Sequence, residues 1–78
     1  MTRYFFDIQS DREFFSDEEG LDLPNHKAAE KEAMQTLVGM AQDSAFRNER
    51  PDMAIEVRSA TERLFCASLI YRTTGPLQ

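Results

Sequence analysis

Between Asn25 and Phe46 small and apolar residues recur every three or four positions: Ala29, Ala33, Met34, Leu37, Val38, Ala41 and Ala45. That spacing lines one face of a helix. Glu30, Lys31, Glu32, Gln35, Thr36, Gln42 and Asp43 occupy most of the opposite face. Pro24 excludes helical backbone at the residue before it, and the Asn25 side chain can accept from a free N–H of the first turn, so the helix is predicted to begin near His26. Its pattern fades at Arg47–Arg50, and Pro51 is expected to close it. A helix of this length takes a large share of a 78-residue chain. Everything else must fold against it.

What remains reads as two pairs of short strands. Over Arg3–Gln9, Tyr4, Phe6 and Ile8 alternate with Phe5, Asp7 and Gln9, which suits a pleated strand. Ser10-Asp11-Arg12-Glu13 is a polar turn, and Phe14–Ser16 returns as the second arm of a hairpin. A two-residue loop puts Phe15 on the face of Ile8, and a three-residue loop puts Phe14 there. Asp17-Glu18-Glu19-Gly20 breaks the pattern, with Gly20 suited to a positive φ. Leu21 and Leu23 tuck the connection under the helix. Beyond the helix, Met53, Ile55 and Val57 alternate with Ala54, Glu56 and Arg58 as a third strand. Ser59–Glu62 turns the chain into a fourth, Leu64–Tyr71, which is apolar on both faces.

The predicted order is therefore ββαββ. One helix covers one face of a sheet, so the expected fold class is α+β. It is a two-layer domain with one long helix packed on one face of a mainly antiparallel four-stranded sheet. Tyr4, Phe6, Ile8, Met53, Ile55 and Val57 are expected to face the helix. Residues 1–72 make one domain, and 73–78 are expected to fray. The apolar fraction of 41% is too high for a disordered chain. No apolar run reaches the roughly 20 residues that cross a bilayer, and Met1–Asp7 does not read as a signal peptide. These features point to a cytoplasmic protein that makes no membrane contact.

Taken together, Arg3-Tyr4-Phe5-Phe6-Asp7, then Asp17-Glu18-Glu19-Gly20, then Leu23-Pro24 before an Ala-rich helix, and later Ile55-Glu56-Val57-Arg58, resemble a family of small alphaproteobacterial proteins. That family is a domain of unknown function. The resemblance covers nearly the whole chain and carries over no catalytic residue. Ser10-Asp11-Arg12 stands where a Gly-containing turn is usual in that family.

No residue pattern supports catalysis, a cofactor or a metal. In an EF-hand loop with Gly20 at its sixth position, the first ligand position falls on Phe15, which cannot ligate. The acidic run reads as a solvated turn. His26 has no partner of ligand type beside it. The serines lie in no G-x-S-x-G, and the three glycines form no phosphate loop. Cys66 has no second thiol and reads as a small buried hydrophobe on its strand.

A net charge of −5 opposes binding to phosphate backbones, so nucleic acid is not an expected partner. Phe5, Phe65 and Tyr71 could stack small ligands or single-stranded bases, the alternative reading. The leading expectation is a non-enzymatic, homodimerising interaction module. Its expected interface is the face turned from the helix: Phe5 on the first strand with Phe65, Ala67, Leu69 and Tyr71 on the last.

Overall fold

The computed structural model describes residues 1–49, 52–72 and 74–75. The elements run β1 (Thr2–Ser10), β2 (Glu13–Phe15), β3 (Leu21–Leu23), α1 (His26–Phe46), β4 (Met53–Arg58) and β5 (Arg63–Leu69). The fold is α+β, with one helix on an antiparallel sheet. The sheet has five strands, in the order β2-β1-β4-β5 with β3 also paired to β1. The expected four-stranded ββαββ order is therefore corrected by one element. Leu21–Leu23 does not merely tuck under the helix; it pairs with Thr2–Tyr4 as a short strand.

β1 organises the sheet. Along one edge it meets β4, with Phe6 opposite Val57 and Ile8 opposite Ile55. Its other edge is shared end to end. β3 covers Thr2–Tyr4 and β2 covers Ile8–Ser10. In the hairpin Ile8 faces Phe15, which fixes the loop as the two residues Asp11 and Arg12. Asp11 takes φ 58°, a left-handed conformation that Asp tolerates.

The helix begins and ends on side-chain and backbone caps. Asn25 Oδ1 accepts from the Ala28 N–H at 2.9 Å. At the other end Asn48 takes φ 61°. Its N–H reaches the Ala45 carbonyl at 3.0 Å, and the Glu49 N–H reaches that of Ser44 at 2.8 Å. This is the paired closure of a Schellman motif, with Asn in the left-handed position. The helix thus stops at its own cap; the role expected of Pro51 lies outside the described residues. So does the fraying of 73–78, apart from Thr74 and Gly75.

The core is small. Tyr4, Ala29, Ala33, Leu37, Met53, Ile55 and Val57 are buried, with Phe6, Ile8, Leu23, Met40, Ala41, Leu64, Phe65 and Ala67 packed against them. The residues expected to face the helix on β1 and β4 all lie in this set. α1 lies mainly over β4 and β5.

Candidate functional site

The face of β5 turned to the helix is set by its register with β4. Val57 faces Phe65, Ile55 faces Ala67 and Met53 faces Leu69. Since Met53, Ile55 and Val57 face the helix, Phe65, Ala67 and Leu69 do too. Phe65 also meets the His26 ring at 4.9 Å. Tyr71 borders a groove with Ala41, Ser44, Ala45 and Leu69, again on the helix side. Phe5, opposite Arg58, lies on the other face. The five residues expected to form one interface are thus divided between two faces. Only Phe5 lies away from the helix, as expected. Both faces of the last strand are apolar, so alternation alone does not say which is covered.

Cys66 is corrected as well. It pairs with Glu56 on the helix-free face and is exposed.

That face is built around three charged side chains. Asp7 is buried at the centre of β1. Arg58, at the end of β4, donates from Nε to Asp7 Oδ2 at 2.8 Å and from Nη2 to the Asp17 carbonyl at 3.0 Å. The Asp17 N–H donates to Asp7 Oδ1 at 2.9 Å. Asp17 Oδ1 accepts from the Glu19 and Gly20 N–H groups, and its Oδ2 accepts from the Phe6 N–H, each at 3.1 Å. Phe6 falls in the gap between the β3 and β2 ladders on that edge of β1. Asp17 therefore supplies the acceptor that neither strand reaches. Arg3 closes the loop from outside, donating to the Glu19 carbonyl and pairing with Asp22 at 3.1 Å. The Arg58 guanidinium lies 4.7 Å over the Phe5 ring, a cation–π contact.

The electrostatics mark this node as structural. Burial raises the Asp7 pKa, but the hydrogen bond and charge of Arg58 and the Asp17 N–H outweigh it and hold the carboxyl below its ordinary value. Burial also raises that of Asp17, and the N–H groups of Gly20, Phe6 and Glu19 lower it further than burial lifts it. The first and largest influence on Arg58 is its hydrogen bond to Asp7, which raises its pKa. Carboxylates held ionised, with their lone pairs engaged, are poorly placed to exchange protons near neutrality. Among the described residues no group of three or more His, Cys, Asp or Glu is arranged to hold a metal ion. Among the same residues no helix is long and apolar enough to cross a membrane.

The acidic run is thus more than a solvated turn. Glu18 and Glu19 are exposed, while Asp17 is the anchor. The sequence signal for the node was an acid within the aromatic run of β1, matched by Arg58 within the other central strand.

What is left open lies beside β5. This strand ends the sheet order, so among the described residues no strand pairs its outer edge. On the side of α1 near that edge Met34 is 57% exposed, and Val38, one helical turn further on, is 50% exposed. Met34 lines one groove with Glu30, Phe65, Cys66 and Ala67. Ala41 and Ala45 line a second with Leu69 and Tyr71. The opposite flank of the helix carries Glu32, Thr36 and Asp43 instead.

Fold and site together define a small two-layer α+β domain. It has a charge node on one face and, among the described residues, an edge strand with no outer partner beside an apolar helix flank. The chain belongs to the family described as Domain of unknown function (DUF6894), which it matches over residues 3–70. That range runs from Arg3 of the charge node to Ile70, one residue past β5. No curated protein and no solved structure matches the chain.

Proposed function

We propose that this protein is a non-enzymatic interaction module that forms a homodimer through the outer edge of β5 and the flank of α1 above it. The observation that carries this reading is the coincidence of the two features. A seven-residue strand whose outer edge no strand pairs among the described residues lies beside Met34, which is exposed together with Val38 one helical turn further on. An uncovered edge strand recruits another strand. A second copy offers an antiparallel one by twofold symmetry.

The spacing suits a second copy. Strands lie about 4.8 Å apart, so a helix over β4 and β5 stands about 5 Å from an axis at the outer edge of β5. Its twofold mate then lies about 10 Å away, close to the 8–10 Å of packed helices. Met34, Val38, Ala41 and Ala45 would fill the space between them, and the two alanines permit close approach. A chain with so small a core also gains from sharing apolar surface.

The test is solution mass by light scattering, for wild type and for a Met34→Glu, Val38→Glu double variant. Both positions are half exposed, so the variant keeps its fold, which circular dichroism checks. Wild type should run at twice the 9.0 kDa of the chain, and the variant at the single mass. A wild type that stays monomeric at hundreds of micromolar, or a folded variant that stays dimeric, overturns the proposal.

The alternative, a small-ligand or single-stranded nucleic-acid binder, needs an aromatic platform. Phe5 lies under Arg58 on one face, while Phe65 and Tyr71 lie on the other. Oligonucleotide binding that weakens steeply with salt would support that reading instead.

A further inference from the structure

Resting on the dimer reading, we infer that the twofold axis passes beside Ala67, so that Phe65 of each copy packs against Leu69 of the other beneath the paired helices. Backbone N–H and C=O groups point to alternate edges of a strand. In an antiparallel pair, residues facing one another must therefore present the same edge. Two copies of one strand satisfy this only if the axis passes beside a residue, which then faces its own copy. Each register of β5 is thus named by its central residue.

The structure selects among the centres. The ladder between β4 and β5 shifts register between Val57 and Arg58, leaving Leu64 as an extra residue. The regular part of β5 is then Phe65–Leu69, and its midpoint is Ala67. Centring the pair on Cys66 would leave Leu69 against the far side of this irregularity; only the Ala67 centre pairs every regular residue.

Side-chain chemistry agrees. With Ala67 on the axis, Phe65 faces the second copy's Leu69 twice, both on the helix side. Cys66 faces Ser68 on the helix-free side, two small residues together. Leu69 is 36% exposed in the single chain, and this register covers it. A Cys66 centre would instead set Phe65 against Ala67 and Leu69 against Arg63, placing an apolar residue beside a charge. The helix agrees as well. Met34 borders the groove formed with Phe65 and Ala67, so it stands beside an axis at Ala67, with Val38 one turn further on.

Disulfide trapping reads the register. Residues directly opposite have Cα atoms about 4.5–5.5 Å apart, within the span a disulfide bridges. Diagonal neighbours, at about 7–8 Å, lie outside it. The variant is Ala67→Cys with Cys66→Ser, treated with diamide, which takes two electrons and two protons from two thiols to leave one S–S bond. Wild type, with Cys66 alone, is treated in parallel. The mass of each protein is measured in the reduced state.

The expected result is a dimer of both proteins by mass, with covalent dimer from the Ala67→Cys, Cys66→Ser variant and little from wild type. Should Ala67→Cys disturb packing under the helix, the exposed Ser68→Cys variant, which keeps Cys66, provides the second route. Cys66 faces the second copy's position 68 only in this register, so this variant should cross-link between chains. Reduced dimers whose wild-type Cys66 cross-links efficiently, or in which neither variant cross-links, overturn the register and leave the dimer standing. Monomeric proteins overturn the dimer reading and the register with it.

Discussion

Replacing Asp17 with Asn should destabilise the fold far more than its place in an exposed acidic loop suggests. Its carboxylate accepts three backbone N–H groups: Glu19 and Gly20 on one oxygen, Phe6 on the other. Asn keeps the size but offers a single acceptor oxygen, and its NH2 would confront an N–H donor. One set of bonds must fail. The Glu19 and Gly20 groups lie toward solvent and water can replace their acceptor. The Phe6 N–H is half-buried in the gap between two ladders. Leaving such a group without an acceptor costs about 1–3 kcal/mol, and attraction to Arg58 is lost as well. We expect a loss of about 2 kcal/mol, which for a domain of this size lowers the melting temperature by roughly 8–16 °C. Urea unfolding followed by circular dichroism at the helix band measures it, with Glu18→Gln as the control. Glu18 is exposed, and its substitution should fall within about 0.5 kcal/mol of wild type. If Asp17→Asn also falls within that band, the account of the ladder gap is wrong.

Two glycine substitutions should act with opposite signs. Gly20→Ala meets φ +76° and a new Cβ at 2.8 Å from Arg3 Cγ and 3.0 Å from the Tyr4 carbonyl, so it should cost about 2–4 kcal/mol. Gly39→Ala, inside the helix with open space around the new Cβ, should stabilise by about 0.5–1 kcal/mol; the same urea melts compare them. Leu37→Ala removes a side chain 4% exposed from the core that holds Ile55 and Phe6 and should cost about 2–5 kcal/mol, read from its denaturation midpoint. Stability should fall in acid. Asp7 and Asp17 titrate below their ordinary 3.8 in the folded chain, so their contribution is complete above that pH and is lost as pH drops through the folded values. Urea midpoints should stay level from about pH 6 to about pH 4 and decline below it, and Asp17→Asn should decline less there; equal slopes would exclude Asp17 from the linkage.

The long helix and the strand faces of Tyr4, Phe6, Ile8, Met53, Ile55 and Val57 were legible because each follows a period that only one secondary structure satisfies, and the Asn25 cap because Pro24 ends the extended segment just before it. β3 was not. Leu21-Asp22-Leu23 is too short for a period, and it is a strand because β2 reaches only Ile8–Ser10 and leaves the Thr2–Tyr4 end of that edge of β1 to be paired. Asp7 and Asp17 were visible as acids, but their pairing depends on Arg58, which the fold brings from 51 positions along the chain. The face of β5 failed for a different reason. Phe65, Ala67 and Leu69 compete with Leu64, Cys66 and Ile70 on nearly equal apolar terms, and only the register with β4 decides between them. Apolarity marks both the covered face and the neighbourhood of the open edge, so it does not separate Phe65, Ala67, Leu69 and Tyr71 from a free interface.

Amide hydrogen exchange along Arg63–Leu69, followed by NMR over a dilution series, tests the proposed dimer most directly. In a single chain the outward-facing amides of β5 meet water. In a dimer built on that edge they are bonded to the second copy. Alternate amides of β5 are expected to be protected at high concentration and to exchange rapidly on dilution, while those bonded to β4 stay protected throughout. Exchange along β5 that is independent of concentration, with every second amide always fast, would contradict it.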